Sequence, residues 1–296
     1  MLKKIIVVSI IFLFNTKSFS ALWWHDLWSN GEKVSGLSLL ELPVGAKNIA
    51  MGNASVAVVQ DPTANFVNPA GIAEKDNWQA SFSHTMHFAG IRQEFMGATL
   101  KNNSNAFGVT FNGIFTDGIE LVDEQQNSWG EYGAFSYEAG ITYARNINTQ
   151  LDLGVTVKSV AEYIYTSSFR GWAMDFGCNY ALAPQLKLAF VLNNMGTSID
   201  SVKLPFAWRL GAGYQKNKLL LSIEVSKYIS TKLLNSIGAE YKLNEVFALR
   251  TGYILENKTE NFTAGLGINL KRLQIDYAFK PYGIGLGPTH IFTITI

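Results

Sequence analysis

Residues 272–280, RLQIDYAFK, place apolar and polar side chains in strict alternation. Leu273, Ile275, Tyr277 and Phe279 share one face of an extended chain, and the residues between them form the other face. A period of two is the pattern of a β-strand whose two faces meet different surroundings. The same alternation recurs through the rest of the chain after its first quarter, in about fourteen runs separated by turn clusters.

The composition selects among β architectures. Of the 296 residues, 13% are aromatic, 16% are charged and 26 are glycine. A soluble sandwich also alternates, but here aromatic residues lie toward the ends of the apolar faces, and the polar faces are dense in glycine and mixed charge. The chain also ends in a strand pattern, HIFTITI. These features predict an all-β fold, a transmembrane antiparallel β-barrel of about 14 strands.

The first twenty residues have the pattern of an export signal. Two lysines precede the apolar run IIVVSIIFLF, and a polar tail follows it up to Ser20. Because this run is shorter than the about 20 residues of a membrane-spanning helix, it indicates a cleaved secretory signal peptide over residues 1–20 rather than an anchor. We therefore expect a location in the outer membrane of a diderm bacterium. With 24 Lys+Arg against 23 Asp+Glu, the chain lacks the basic excess of a nucleic-acid binder.

Charged residues of both signs lie on the polar faces of the predicted strands. Ion pairs are suited to a hydrated barrel interior, where they would brace the wall or form a selective binding site. The residues predicted to line the lumen are Arg92, Glu94, Glu138, Asp152, Asp175, Arg209, Glu240, Arg250 and Asp276.

Tryptophan is the residue type most typical of a membrane–water interface. Five tryptophans are predicted to lie there: Trp23, Trp24, Trp28, Trp172 and Trp208. The first three belong to the stretch before the barrel, where they would anchor that stretch at the membrane surface, contact a partner or cover the barrel mouth.

Residues 36–77 do not join the alternation. The stretch LELPVGAKNIAMGNASVAVVQDPTANFVNPAGIA resembles the amino-terminal signature of the PorV/PorQ family, within the FadL-like superfamily of outer-membrane barrels. In that family a GAR-x-x-x-MGGA-x-VAVADD stretch precedes NPAG. Here Lys47 replaces the arginine, Asn53 the second glycine, and Gln60 with Asp61 the double acid, whereas NPAG is intact at residues 68–71. The closing LGPTHIFTITI is also similar, although the family usually ends in Phe.

The resemblance implies that residues 21–77 form an arm and a plug inside a barrel of residues 78–296. The alternative is a surface turn before the first strand. Prolines fix φ and donate no hydrogen bond, and wall glycines would let the plug backbone come close. The predicted plug residues are Gly45, Ala46, Gly52, Asp61, Asn68, Pro69, Ala70 and Gly71, and the wall glycines are Gly108, Gly140, Gly154, Gly177, Gly211 and Gly252.

The resemblance also implies a function in protein secretion or surface assembly of the type IX kind. Its partners would be outer-membrane lipid and exported cargo proteins or the secretion machinery. The alternative within the superfamily is a transporter of hydrophobic small molecules, with a hydrophobic ligand and a lateral opening. A change of alternation at Lys158 and Ser159 predicts a β-bulge, which would be a rim feature or part of such an opening.

An enzyme is the least favoured class. Ser81, Ser83 and His87 share one strand face, but the sequence offers no acid to orient the histidine. Cys178 is the single cysteine, so no internal disulfide is expected and the thiol is interpreted as a packed residue. No cofactor or metal site is predicted, and a purely structural barrel remains open as an interpretation.

Overall fold

The structure, a computed structural model, describes residues 36–75, 77–196, 203–255, 259, 261–283 and 285–296. Fourteen antiparallel strands form one closed barrel in which each strand pairs with its neighbours in sequence, so the predicted fold is confirmed. The strands are β1 Asn77–Met86, β2 Arg92–Asn102, β3 Asn105–Val122, β4 Ser128–Asn146, β5 Leu151–Ile164, β6 Ser167–Ala183, β7 Leu186–Gly196, β8 Ala207–Lys216, β9 Leu219–Tyr228, β10 Leu234–Lys242, β11 Phe247–Leu255, β12 Phe262–Leu270, β13 Leu273–Pro281 and β14 Pro288–Thr295.

Alternation along the strands separates an apolar outer face from a polar inner face. Large apolar side chains remain exposed on the outside, for example Ile141 at 70% and Ile223 at 59%, while inward side chains such as Glu138 and Asp276 are buried. This distribution is inverted relative to a soluble protein and is that of a barrel surrounded by lipid. It supports an outer-membrane location. Among the described residues, no helix is long and apolar enough to cross a bilayer.

The two ends of the barrel differ in their connections. Tight turns join strands at one end, at residues 103–104, 184–185, 217–218 and 271–272. At the other end the connections are longer, except for the two-residue turn 165–166 between β5 and β6. Outer-membrane barrels place their short turns in the periplasm, so we assign the short-turn end to that side. β3 to β6 contain 14 to 19 residues and the other strands 8 to 11, so one side of the wall extends further at the long-loop end.

The barrel is closed by the first and the last strand. β1 pairs with β14, with Ser81 opposite Thr295. Two backbone hydrogen bonds extend this pairing, since the Ala80 amide donates to the Ile296 carbonyl at 3.0 Å and the Ile296 amide donates back at 2.9 Å. Closure leaves no strand edge in the lipid. An unpaired backbone group there would cost roughly several kcal/mol.

The register of β5 is continuous with β4 and β6 throughout. The bulge predicted at Lys158 and Ser159 is therefore wrong. The alternation changes because Val160 faces inward and packs against Leu37 and Leu40. The register shifts lie elsewhere, between β3 and β4 at Thr116/Ile119 and Glu120/Val122, and between β6 and β7 at Met174/Phe176 and Ala181/Ala183.

The chain before β1 lies within the ring of strands. This N-terminal segment (residues 36–75) holds two short α-helices, α1 Ala46–Ala50 and α2 Ala64–Val67, and two 3-10 turns, Ser38–Glu41 and Pro69–Ala73. Helix α1 contacts β11 to β14, whereas Pro69–Ala73 contacts β2 to β6 on the opposite side of the ring. Contact with opposite walls places the segment in the interior, and most of its residues are buried.

Candidate functional site

The N-terminal segment lies against many of the glycines on the inner face of the wall. A Cβ at Gly252 would overlap the Gly52 backbone, and one at Gly154 would overlap the Pro69 backbone. Glycine is thus required here for close approach rather than for backbone flexibility. Of the glycines predicted to serve this purpose, Gly108, Gly154, Gly177, Gly211 and Gly252 lie against the segment, whereas Gly140 lies against Thr110, Thr156 and Lys158 of the wall.

The first half of the segment is fixed by wall hydroxyls. The Ala46 amide donates to Thr293 Oγ1 at 2.8 Å, and the Gly52 amide donates to Thr263 Oγ1 at 3.0 Å. Thr263 in turn donates its own proton to the Ala50 carbonyl at 3.0 Å. Thr293 satisfies the first amide of α1, which has no partner within the helix. Thr263 gives the Gly52 amide a second acceptor, since that amide also donates to the Ile49 carbonyl at 3.0 Å. Sequence analysis did not identify these threonines, although both lie on the inward face of their strands.

Glycine precedes and follows α1 for a conformational reason. Gly45 has φ +83° before the helix and Gly52 has φ +64° after it, both in the left-handed region that side chains disfavour. A Cβ at Gly45 would also lie 2.8 Å from Thr63 Cγ2. The predicted plug residues Gly45 and Gly52 therefore shape the backbone so that α1 lies flat against the wall.

A wall carboxylate fixes the middle of the segment. Glu224 Oε2 accepts hydrogen bonds from the backbone amides of Ser55 and Val56, at 3.0 and 3.1 Å. Its other oxygen accepts from Arg209 Nε at 2.7 Å. Charge-assisted bonds of this kind are about twice as strong as neutral ones. Glu224 thus joins the predicted lumen residue Arg209 to the segment.

The NPAG stretch is held by the side chain of Asn68. This residue is fully buried and extended, with φ −157° and ψ 103°, as expected for a residue that precedes proline. Its Nδ2 donates to the Val56 carbonyl at 2.6 Å and to Asn179 Oδ1 at 2.7 Å. Its Oδ1 accepts from the Ala70 amide at 3.0 Å and so caps the turn that follows.

Two other predicted plug residues have local roles. Asp61 Oδ1 accepts from the Thr63 amide at 2.9 Å and orders the turn before α2. Gly71 lies within the 3-10 turn without a positive φ. Glycine is needed at this position because a Cβ would lie 2.5 Å from the Val59 carbonyl oxygen, too close for any other residue.

We expect Asn68→Asp to loosen the N-terminal segment while the barrel remains folded. The new oxygen would face the Val56 carbonyl and Asn179 Oδ1 in place of a donor, and an unsatisfied buried polar group costs about 1–3 kcal/mol. Protease cleavage within residues 36–75 of the purified protein should accelerate. The control is Asn148→Asp, because at that exposed turn only Oδ1 is used, accepting from the Gln150 and Leu151 amides. Equal cleavage rates in both variants would contradict this role of Asn68.

The end of the segment is fixed by a buried acid. Glu74 accepts from Lys187 Nζ, from Asn179 Nδ2 at 2.7 Å and from Gln60 Nε2 at 2.7 Å. Burial raises the pKa of Glu74 above its ordinary value, and the Lys187 ammonium opposes that rise. Asn179 therefore joins Glu74 to Asn68 in one polar network. Sequence analysis missed Asn179, two residues beyond Gly177 on the same face of β6.

Seven of the nine predicted lumen residues face the interior. Lys158 Nζ lies 2.8 Å from Asp175 Oδ2 and 3.4 Å from Glu138 Oε2. Arg250 lies 2.7 Å from Glu240 and 2.6 Å from Asp276. Each cation lies between two acids, so the charges are compensated within the wall. The remaining two are Arg209, bound to Glu224, and Asp152, whose Oδ1 accepts from Asn146 Nδ2 at 2.5 Å.

Arg92 and Glu94 do not line the lumen. Both lie on the outer face of β2 with Met96, because Phe95 faces inward and is only 1% exposed. Glu94 lies opposite His84 on the neighbouring strand, with His84 Nδ1 2.7 Å from Glu94 Oε1. Arg92 pairs with the exposed Asp117. The prediction is wrong for these two residues because Phe95 was assigned to the outer face.

Aromatic side chains mark the outer surface. Trp172 is 69% exposed, and Trp208 lies on the outer face of β8. Phe107 packs against Tyr143 near the short-turn end, with ring centroids 5.3 Å apart. Such positions suit the polar and apolar boundary of a bilayer, so the interface assignment of Trp172 and Trp208 stays a prediction that the geometry permits. Trp23, Trp24 and Trp28 and the signal peptide lie outside the described residues.

The residues considered for catalysis have other partners. Ser81 and Ser83 face inward and hydrogen-bond to Thr295 and Thr293 of β14, at 2.7 and 2.9 Å. His87 Nε2 lies 3.1 Å from Gln93 Oε1. Within the described ranges, no group of three His, Cys, Asp or Glu residues could hold a metal ion.

Comparison with known proteins finds solved structures of similar fold but no relative by sequence. The chain matches no known family and no curated protein. The Pseudomonas putida toluene transporter TodX matches with a TM-score of 0.64 at 13% identity, over 85% of this chain and 96% of that one. CymD, a monoaromatic hydrocarbon channel, matches with a TM-score of 0.62 at 12% identity, over 88% and 98%. A FadL homologue of Pseudomonas aeruginosa matches with a TM-score of 0.61 at 11% identity, over 85% and 97%.

At these identities the likeness concerns the fold alone. It supports the FadL-like barrel that the sequence motifs implied, and no comparison connects the chain with the PorV/PorQ group in particular. The protein is thus a closed 14-stranded antiparallel barrel of FadL-like fold.

Proposed function

We propose that this chain provides a passage for hydrophobic small molecules across the outer membrane, with the N-terminal segment closing the lumen at rest. Barrels of the same fold are described as a toluene transporter and a monoaromatic hydrocarbon channel. This function was the alternative in the sequence analysis, and it now takes precedence over secretion.

The observation that carries the proposal is the way in which the segment is held. It pairs with no strand of the wall and is fixed instead by side chains such as Glu224, Asn179 and Thr263. Hydrogen bonds of this kind contribute about 0.5–1.5 kcal/mol each when neutral, so groups of them can be released together. The segment can therefore leave the wall without breaking the barrel.

Displacement of the segment would expose apolar wall. Phe95, Val191 and Leu220 face inward and pack in one cluster with the apolar side chains of the segment, including Val56 and Phe66. In an otherwise polar lumen these residues would offer a surface to an apolar solute. A channel for water and ions does not require an apolar wall. The apolar wall therefore favours a hydrophobic permeant.

A reversible cross-link between segment and wall tests the proposal. A Cβ at Gly213 would lie 3.7 Å from Ala57 Cβ, within the about 3.5–4.5 Å of a disulfide. The variant carries Ala57→Cys and Gly213→Cys, with Val58→Ala because a Val58 methyl would overlap the new Cβ, and Cys178→Ala to remove the native thiol. Oxidation should reduce entry of the dye N-phenylnaphthylamine into cells to the level without the protein, and reductant should restore it.

The control protein keeps Val58→Ala and Cys178→Ala but carries only the Gly213→Cys change. It should admit the dye equally under oxidising and reducing conditions. Dye entry at an unchanged rate through the cross-linked protein would refute closure by the segment, provided that electrophoresis shows the disulfide to be formed.

A role in secretion is the second candidate. It rests on the likeness of residues 40–73 to the PorV/PorQ signature. The extension of β3 to β6 at the long-loop end adds an exposed aromatic surface, with Trp129 at 74% and Tyr165 at 62% exposure, that a protein partner could contact. Co-purification of exported proteins with the chain would support this role.

A further inference from the structure

The short-turn end of the barrel contains a cavity of about 1220 Å³. Its rim is formed by the strand-joining turns, for example at residues 184–185, and its floor by the N-terminal segment from Lys47 to Lys75. Pockets that hold small molecules usually measure about 300–1,000 Å³. The cavity is therefore large enough for a ligand that enters from the periplasmic side.

The charged side chains that line this cavity are mainly basic. Its lining includes the five lysines Lys47, Lys75, Lys187, Lys218 and Lys242. The acids that compensate some of them are buried in the wall or in the segment, since the side chain of Glu240 is 4% exposed, that of Asp276 2% and that of Glu74 9%. Lys75, Lys218 and Lys242 are exposed, and the exposed acid at the rim is Glu245. A ligand in the cavity thus meets more exposed ammonium groups than exposed carboxylates.

Two of these lysines have no direct partner among the described residues. Within the described ranges, neither the Lys75 nor the Lys242 ammonium has a hydrogen-bond or ion-pair partner, whereas Lys47 lies 3.8 Å from Glu240. Burial lowers the pKa of Lys75, and the charges of Lys47 and Lys242 lower it further. The carboxylates of Asp61 and Asp276 act in the opposite direction. The three lysines therefore interact with one another, at the same side of the cavity.

We propose that this cavity is a binding site for a ligand carrying two or more phosphate or carboxylate groups, with Lys75 and Lys242 as its principal contacts. An anion between these lysines would remove their mutual repulsion, and lysine binds phosphate as a point charge. The site lies below the N-terminal segment and is independent of the proposed passage, because it is accessible without displacement of that segment. The same chemistry is offered by free polyanions and by anionic lipid headgroups.

The test is calorimetric titration of the purified, detergent-solubilised full chain with two probes, tripolyphosphate and tetrahexanoyl cardiolipin, a short-chain lipid that carries two phosphates. Lys75→Gln combined with Lys242→Gln should weaken binding at least about tenfold, since each substitution removes one positive charge that attracts the anion. Binding by the unmodified protein should also weaken with added salt. The control, Lys216→Gln, removes the same charge at the same end of the barrel but on the outer face of β8.

Lysine-dependent binding of tripolyphosphate would support the proposal and identify a free polyanion as the ligand. Binding of the lipid alone, again dependent on Lys75 and Lys242, would support it with a lipid headgroup as the source. The proposal is overturned if the unmodified protein binds neither probe, or if Lys216→Gln weakens binding as much as the double variant does. Heat-modifiable electrophoretic mobility checks that each variant is a folded barrel.

Discussion

Replacement of Gly252 by valine is expected to open the lumen of the barrel while the ring of strands stays closed. A Cβ at Gly252 would overlap the backbone of Met51 and Gly52, so the new side chain and the N-terminal segment cannot occupy the same space. Overpacking costs about 1–3 kcal/mol where flexible side chains can shift, and here it meets backbone. Valine itself is favoured in strands. The segment should therefore leave the wall while β11 keeps its pairing.

Conductance in planar bilayers measures this effect. The unmodified protein should show few openings, and Gly252→Val should show a steady ionic current, because a 14-stranded barrel is wider than the eight-stranded barrels that side chains can fill. Thr251→Val is the matched control, since the neighbouring side chain points outward. A silent Gly252→Val protein with normal mobility would show that the segment does not close the lumen.

Replacement of Lys158 by methionine is expected to produce the largest loss of stability. Its ammonium lies between Glu138 and Asp175, and all three side chains are at most 3% exposed. Removing one partner of a buried ion pair costs about 3–5 kcal/mol, because the remaining charge is left uncompensated. Phe66 of the segment also lies over this ammonium, with 5.5 Å between Nζ and the ring centroid. The midpoint of denaturant unfolding should fall accordingly.

A compensating variant shows whether the stability is lost through uncompensated charge or through poorer packing. Adding Glu138→Gln and Asp175→Asn to Lys158→Met removes both uncompensated carboxylates with little change in volume. Most of the lost stability should return, since a buried ion cluster is often no more stabilising than neutral residues of similar size. If the triple variant remains as unstable as Lys158→Met, the loss arises from packing against Phe66 or the wall rather than from charge.

The alternation of the sequence was sufficient to predict the closed barrel and most of its inner face. In β13, for example, Asp276 and Ala278 face inward and Tyr277 faces outward, as the period of two requires. The wall glycines were also predictable, because glycine on the inner face of a strand has no packing role unless another backbone approaches it.

The remaining errors arise where the N-terminal segment changes the chemistry of the wall. Phe95 and Val160 are apolar yet face inward, because they pack against apolar side chains of the segment. From the sequence, these positions suggested that Glu94 faces the lumen and that β5 contains a bulge. The pairing of Glu94 with His84 depends on strand register, which a single sequence does not specify.

The seam between β1 and β14 also determines the order of assembly. It joins residues as far apart in the chain as Ser81 and Thr295, separated by 214 positions. Contacts between such distant residues form late, because a long loop must be closed first. The N-terminal segment precedes β1 and contacts walls on opposite sides of the ring, so it is available to the strands while the seam is still open. We expect each molecule to enclose its own N-terminal segment as the seam forms, in the same step that completes the ring.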